Sequence, residues 1–167
     1  GGDAVDVAEA QAIQGLAGYD ASASDYEITD TAAALISAGN SVLTNGNISV
    51  DVNDGAVNAS DGAILAGFTA DVDFDVSDTA ANIAAQVASG VASGSGPDSL
   101  DEADSVFVES GTAIGASDAE AIQNISGYSG ADSDYDITDN AAALISAGDE
   151  VLNVAGVDIV TASDTSV

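Results

Sequence analysis

The sequence contains no Lys, Arg, His or Cys, and these absences exclude most kinds of catalytic and anion-binding site. Without an imidazole, a thiol or an ammonium group, the chain lacks the usual general bases, the sulfur nucleophile and the Schiff-base amine. It also has no side-chain cation with which to bind phosphate, so nucleic acid is not an expected partner. We therefore expect a protein that is not an enzyme. A hydrolase built from paired carboxylates alone is the remaining enzymatic alternative.

Long apolar runs are absent as well. No stretch of 18 apolar residues occurs, so insertion into a membrane is not expected. The lack of Cys means that disulfides do not hold the fold together, although they do so in many small secreted domains.

Acidic residues dominate the charged side chains. The 29 Asp and Glu residues give a formal net charge of −29, yet 46% of the residues are hydrophobic, which argues against disorder. After screening by physiological salt, mutual repulsion amounts to about 10–20 kcal/mol. A domain's net stability is only about 5–15 kcal/mol. We therefore expect external cations, either bound Ca²⁺ or concentrated salt, to stabilise the folded chain.

An internal duplication is the strongest pattern in the sequence. Residues 8–43 align without gaps to residues 117–152, with 22 of 36 positions identical, and a degenerate middle copy begins at residues 73–86. The unit is about 50 residues long. Because the chain begins and ends inside units, we expect it to be a piece of a longer array. The predicted divisions are a partial repeat at 1–25, a repeat at 26–73, a repeat at 74–134 with an insert near 93–102, and a partial repeat at 135–167.

Each unit is predicted to run strand, helix, strand, helix. The predicted strands are 26–30, 48–52, 74–78, 105–108, 135–139 and 157–160, and the predicted helices include 8–17, 31–39, 59–67, 117–126 and 140–148. Gly39 and Gly148 have the positions of helix-ending glycines. Ser117 and Glu120 have the spacing of a capping box.

Alternation of strands and helices favours parallel strands joined by helical crossovers. The strands also alternate acidic and apolar residues, as in Asp71-Val-Asp-Phe-Asp-Val76, so one face is expected to meet helices and the other water. The predicted fold is an α/β repeat that forms a two-layer, solenoid-like stack. An α+β arrangement and a β-sandwich of the same pieces are the alternatives.

Carboxylates that recur on equivalent strands are the candidate metal ligands. If those strands stacked in register, Asp25/Glu27, Asp73/Asp75 and Asp134/Asp136 would form rows about 5 Å apart. Ca²⁺, which binds six to eight oxygen ligands, would relieve their repulsion. The alternative is a solvated acidic face without specific sites. The candidate ligands are Asp132, Asp134, Asp136 and Asp139, which form the densest cluster, together with Asp71, Asp73, Asp75, Asp78, Asp25 and Asp30.

Established calcium motifs fit the sequence poorly. Asp51–Gly55 begins like an EF-hand loop, but its glycine is one position early and no Glu stands at position twelve. Gly94–Leu100 matches the core of the calcium-binding nonapeptide G-x-G-x-D-x-hydrophobic. That motif works in tandem stacks and occurs here once, which indicates a loop between repeats.

The segments YDITDNAAALISAGDEVL (135–152) and FDVSDTAANIAA (74–85) resemble repeats of giant secreted, cell-surface proteins of Gram-negative bacteria, either RTX-adhesin-like or surface-layer and filament proteins. The resemblance implies an extracellular, cell-surface location and a role in an adhesin stalk, a surface layer or a fibre, often dependent on Ca²⁺. The lack of tandem nonapeptides is a departure from that pattern.

Two functions follow from these patterns. The first is a structural array that extends and self-associates, because the terminal repeats of such arrays expose apolar faces. Its expected partners are neighbouring repeats or copies of the same chain. The second is an adhesion module in which loops around Tyr19 and Tyr128 bind carbohydrate or another cell's surface.

Overall fold

Helices and strands alternate along the chain, and the predicted α/β class is confirmed. The computed structural model describes residues 4–93 and 100–164. The helices are α1 (Val7–Gln14), α2 (Ala32–Ala38), α3 (Asn40–Leu43), α4 (Ala59–Ala66), α5 (Ala80–Ser93), α6 (Ala116–Gln123), α7 (Ala141–Ala147) and α8 (Asp149–Leu152). The strands are β1 (Asp25–Asp30), β2 (Asn47–Val52), β3 (Val72–Asp73), β4 (Asp75–Thr79), β5 (Ser105–Glu109), β6 (Tyr135–Asp139) and β7 (Val157–Ala162). Most of the predicted insert and of the nonapeptide-like motif lies outside the described residues.

Local sequence explains where the duplicated helices begin and end. The N-cap side chains of Thr31 and Asn140 accept hydrogen bonds from the amides three residues later, at 3.3 and 3.0 Å. Gly39 and Gly148 end α2 and α7 with φ values of +62° and +72°, which other residues rarely adopt. The predicted boundaries of these helices are therefore correct to within one residue.

Every strand pair in the described residues is parallel, as the alternation predicts. Three sheets form, with the strand orders β1-β2-β3, β4-β5 and β6-β7. Parallel single-residue bridges join Val5 to Ile28, Val57 to Val76, Val106 to Tyr128 and Ile114 to Ile137. Each sheet thus begins with one bridging residue that lies two positions before the start of a helix.

The core follows rows of residues, aliphatic except for Tyr128, that are paired across these sheets. The rows are Val5-Ile28-Val50-Val72, then Val57-Val76-Val106-Tyr128, and then Ile114-Ile137-Val160. The interior members Ile28, Val50, Val76, Val106 and Ile137 are all 0% exposed. Burial of each such side chain contributes about 1.5–3 kcal/mol. These rows lie on the face of the strands that packs against the helices. The acidic residues that alternate with them along each strand point away from the helices.

One polar contact occurs twice and shows that the duplication extends to side-chain packing. Gln14 Nε2 donates to Tyr26 Oη at 2.8 Å and to the Val42 carbonyl at 2.9 Å. Gln123 Nε2 donates to Tyr135 Oη at 2.8 Å and to the Val151 carbonyl at 3.0 Å. Each glutamine side chain thus links the end of its own helix to the next strand and to the second helix that follows in the chain.

Candidate functional site

The acidic strands are separated from one another by strands with neutral residues. In the pairing of β1 with β2, Asp25 lies opposite Asn47 and Glu27 lies opposite Ser49. In the pairing of β4 with β5, Asp75 lies opposite Ser105. The condition for these rows is not met, because the equivalent strands β1, β4 and β6 lie in three separate sheets, each paired with the second strand of its own unit. The rows of Asp25/Glu27, Asp73/Asp75 and Asp134/Asp136 do not form.

Serine hydroxyls donate to carboxylates across the β4–β5 pair, in both directions. Ser105 Oγ donates to Asp75 Oδ1 at 2.6 Å, and Ser77 Oγ donates to Glu109 Oε1 at 2.7 Å. Both bonds are short, as is usual when the acceptor is ionised. In a chain without side-chain cations, serine hydroxyls are thus one of the few internal groups that solvate the acidic face.

One pair of carboxylates does lie directly across a sheet. Asp73 in β3 is the register partner of Asp51 in β2. The pKa of Asp73 is raised, chiefly because its carboxyl group is partly desolvated, and further because Asp104, Asp71, Asp51 and Glu27 are like charges nearby. In the described sheets, this is the one register pair in which two carboxylates lie directly opposite each other.

Asp73→Asn is expected to stabilise the chain at neutral pH by about 0.5 kcal/mol, the scale of a like-charge pair across a sheet. Folding raises the pKa of Asp73, so the folded chain binds this proton more tightly and stability rises as pH falls through that pKa. The variant should therefore melt above the wild type at neutral pH, and the difference should shrink in mild acid. Asp25→Asn removes the same charge opposite the neutral Asn47 and is the matched control. Equal gains in both variants would contradict the local effect.

A second set of carboxylates caps helices instead of lying in rows. In five places, an aspartate at or near the end of a strand accepts a hydrogen bond from a helix that precedes that strand. The donor is the first backbone amide of the helix. These capping aspartates are Asp30, Asp54, Asp78, Asp139 and Asp164, which bind the amides of Val7, Ala32, Ala59, Ala116 and Ala141 at 3.1, 3.1, 3.0, 3.1 and 2.7 Å. A helix N-terminus carries a partial positive charge, so each contact is electrostatically favourable.

Asp139 shows why sequence inspection misplaced one cap. The capping box predicted at Ser117 and Glu120 is wrong, because the N-cap of α6 is Gly115, two residues before Ser117, and α6 has no side-chain cap from its own segment. Asp139, in β6, supplies the acceptor instead: Oδ2 binds the Ala116 amide, while Oδ1 accepts from the Asn140 amide at 2.7 Å.

The capping role accounts for three of the ten candidate metal ligands, namely Asp30, Asp78 and Asp139. Three others accept hydrogen bonds elsewhere: Asp75 as described, Asp132 from Ser129 Oγ at 2.7 Å and Asp136 from the Ile159 amide at 3.1 Å. The remaining four are Asp25, Asp71, Asp73 and Asp134. Within residues 4–93 and 100–164, no three carboxylates are placed to hold one metal ion. Calcium binding by these residues stays a prediction.

Sequence inspection missed Asp54 and Asp164 as functional residues. The regular spacing of the aspartates could have identified these two residues. Asp30, Asp54 and Asp78 recur every 24 residues, and Asp164 follows Asp139 by 25. Each lies at, or within two residues of, the end of a strand.

The two tyrosines proposed to recognise a surface use their hydroxyl groups within the fold. Tyr19 Oη donates to the Asn45 carbonyl, and Tyr128 Oη donates to the Ala155 carbonyl at 3.0 Å. Burial raises the pKa of Tyr128. These contacts join successive segments, so neither hydroxyl is the free polar group that a carbohydrate platform offers.

The last described segment leaves apolar residues uncovered. We define the C-terminal face as Ile145, Ile159 and Val160, which are 82%, 53% and 39% exposed. Their counterparts earlier in the chain are covered: Ile36 is half-buried and Val50 is 0% exposed. The sequence of α7 is identical to that of α2, so the difference lies in what packs against each helix: α2 contacts α4, whereas the described residues contain no helix after α8.

The first described segment leaves a second apolar face, defined as Ile13 and Leu16. Leu16 is 64% exposed, whereas its counterpart Ile125 is 3% exposed. Ile13 is half-buried, whereas its counterpart Ile122 is fully buried. We call this the N-terminal face. Of the five large apolar side chains that are exposed in the described part of the chain, four lie on these two faces, and the fifth is Ile64.

Comparisons with protein-family models, with curated proteins and with solved structures found no match. No helix in the described residues is long and apolar enough to cross a membrane. Functional inference therefore rests on the geometry of this chain alone.

Proposed function

We propose that the chain is an extracellular structural segment, a part of an adhesin stalk, filament or surface layer, and that it is not an enzyme. Its segments continue one another as a solenoid-like stack, and cations and self-association stabilise it. The observation that carries this proposal is that the contacts between successive segments recur along the chain, in the parallel strand bridges, in the aspartates that cap helices and in the Gln–Tyr contacts.

Three features support the stack. Neighbours in the first and third aliphatic rows are separated by 22 or 23 residues, so each strand and its following helix form one layer. Each of the five capping aspartates binds the helix of the preceding layer, which fixes the offset between layers. The helices also contact their neighbours in order, from α1 to α2, then α4, α5, α6 and α7. Stability in such arrays comes from nearest-neighbour interfaces.

The adhesion module is the second candidate. The acidic, serine-rich face of the strands and the groove lined by Phe68, Phe74 and Glu102, of about 290 Å³, offer polar contacts to a carbohydrate. The groove has few aromatic residues, and the Tyr19 and Tyr128 hydroxyls are engaged elsewhere. We rank this function below the first.

Sedimentation velocity over a range of concentrations, in low salt, high salt and Ca²⁺, tests the structural function. We expect species larger than the monomer to accumulate with concentration when cations screen the charge, and elongated particles in negative stain. A chain that stays monomeric under all of these conditions and binds specific glycans on an array would overturn the proposal and favour the adhesion module.

A further inference from the structure

We propose that a small organic ammonium ion binds in the groove at the C-terminal end of α4. The volume of this groove is about 290 Å³, near the lower end of the range for small-molecule sites. Binding there is independent of the structural function proposed above, and either can fail without the other. The residues that the middle part of the chain lacks, and the side chains that line the groove, indicate this ligand.

The order helix, connection, strand, second helix occurs three times in the described chain, from α1 to α2, from α4 to α5 and from α6 to α7. In the first and third of these copies, the first helix ends at a glutamine, Gln14 or Gln123. Its side chain donates a hydrogen bond to a tyrosine hydroxyl, that of Tyr26 or Tyr135, at 2.8 Å. The two side chains together join the end of the helix to the strand.

The middle copy lacks both polar groups. The last residue of α4 is Ala66, and Phe74 takes the place of the tyrosine. Phe74 follows Ala66 by 8 residues, whereas each tyrosine follows its glutamine by 12, so the connection is also shorter. Ala66 and Phe74 both line the groove. The groove therefore lies where the other two copies have a glutamine side chain and a tyrosine hydroxyl.

The lining of the groove combines aromatic rings with carboxylates. Phe74 is 3% exposed, and Phe68 beside it is half-buried. Asp71 and Glu102, both exposed, bring two carboxylates from separate parts of the chain. The C-terminal end of α4 also meets the groove, and a helix C-terminus carries a partial negative charge. Aromatic rings and carboxylates both attract an ammonium group.

These groups favour an organic cation over a metal ion. The chain has no Lys, Arg or His side chain to pair with Asp71 or Glu102. Ca²⁺ binds six to eight oxygen ligands, and no three carboxylates in the described part of the chain are placed to hold one metal ion. An ammonium ion with an apolar body needs fewer carboxylates, and its carbon atoms can contact Phe68 and Phe74. A ligand of this kind matches both halves of the lining.

A nuclear magnetic resonance titration at high, constant ionic strength tests the site, because salt screens the general attraction of cations to the acidic surface. The probes are choline and its uncharged isostere 3,3-dimethylbutan-1-ol. Choline is expected to shift the resonances of Phe68, Thr69 and Phe74. We expect choline to bind about tenfold more tightly than the isostere, since the rings and the carboxylates attract only the charged probe.

The variant Ala66→Gln/Phe74→Tyr fills the groove with the residues of the other two copies and leaves the net charge unchanged. Choline should bind this variant about tenfold more weakly than the wild type. Far-ultraviolet circular dichroism and the melting temperature show whether the variant is folded, as expected for a pair of residues that the chain accommodates twice.

A second pair of variants separates the rim carboxylates from net charge. Asp71→Asn/Glu102→Gln should also weaken choline binding about tenfold. Asp118→Asn/Glu120→Gln removes two charges from exposed positions on α6 and should bind choline like the wild type. These variants and the map of shifted resonances in the wild type decide the question even if the filled variant does not fold.

Three results would refute the site. The first is equal affinity for choline and for the isostere, and the second is undiminished binding by the folded, filled variant. The third is a set of choline-induced shifts that spreads over the acidic strands and spares the groove, which indicates attraction to net charge alone. If a neutral sugar shifts the groove resonances and choline does not, the groove belongs to the adhesion module instead.

Discussion

In metal-free buffer at low ionic strength, the isolated chain is expected to be largely unfolded at a temperature at which it is folded in high salt. The net charge is −29, and no Lys, Arg or His offsets it. We expect salt to change the free energy of unfolding by on the order of 5 kcal/mol. For a chain of this size that change raises the melting temperature by about 10–20 °C.

The fold itself supplies a part of the compensation. The described helix N-termini bind five carboxylates through the capping aspartates, and each such contact contributes about 0.3–1 kcal/mol. Serine hydroxyls, such as that of Ser105 beside Asp75, solvate others. These contributions add up to a few kcal/mol, which is less than the repulsion of about 10–20 kcal/mol expected at physiological salt. We therefore expect cations from the medium to supply the remainder.

Thermal unfolding with EDTA, followed by graded Ca²⁺ or NaCl, separates two kinds of cation effect. A melting temperature that rises at micromolar-to-millimolar Ca²⁺ and fixed ionic strength indicates specific sites, whereas a response to ionic strength alone indicates screening. Asp132→Asn/Asp134→Asn removes two charges from the densest predicted cluster, and Asp61→Asn/Asp118→Asn removes two from the first turns of α4 and α6. A Ca²⁺ midpoint that shifts only in the first pair would place a site there. A monomer that is fully folded without metal or salt would refute the whole expectation.

The secondary structure could be predicted because its causes are local. The alternation in Tyr135–Asp139, the N-cap at Asn140 and the glycine at position 148 all act within a few residues. The middle copy is degenerate, yet β4 begins within one residue of the predicted strand.

Strand partners could not be predicted, because pairing depends on contacts between residues far apart in the sequence. Equivalence of β1 and β4 suggested that their carboxylates would stack, but β1 pairs with β2, and β4 lies in a separate sheet with β5. The neutral residues Asn47 and Ser49 were the available signal, since they belong opposite acidic residues if like charges avoid each other.

The role of the capping aspartates could not be predicted for the same reason, because it depends on contacts between residues far apart in the sequence. A local search finds Ser117 and Glu120, whereas the acceptor at the N-terminus of α6 comes from a residue 23 positions away. Carboxylates that recur at this spacing were first interpreted as metal ligands. In the structure, Asp30, Asp78 and Asp139 each accept a hydrogen bond from the first backbone amide of a helix 19 or 23 residues earlier in the chain.

Asp139→Ala is expected to destabilise the chain by about 2 kcal/mol, although it removes one of 29 negative charges. The substitution leaves the first amide of α6 without its acceptor and also removes the bonds to the Asn140 backbone and side-chain amides. The melting temperature should fall by about 4–8 °C at constant salt. Asp139→Asn keeps one oxygen acceptor and should lie between the wild type and the alanine variant.

Asp134→Ala is the matched control, because Asp134 is an exposed carboxylate five residues earlier in the same segment. Its loss should leave stability unchanged or raise it slightly, since it lowers the repulsion without removing a cap. Opposite signs for two Asp→Ala changes of equal charge would separate capping from net charge. If both variants gained stability in metal-free high salt, the capping aspartates would contribute nothing beyond their charge. If instead Asp139→Ala lost stability only when Ca²⁺ was present, its carboxylate would be acting as a metal ligand, as the sequence first indicated.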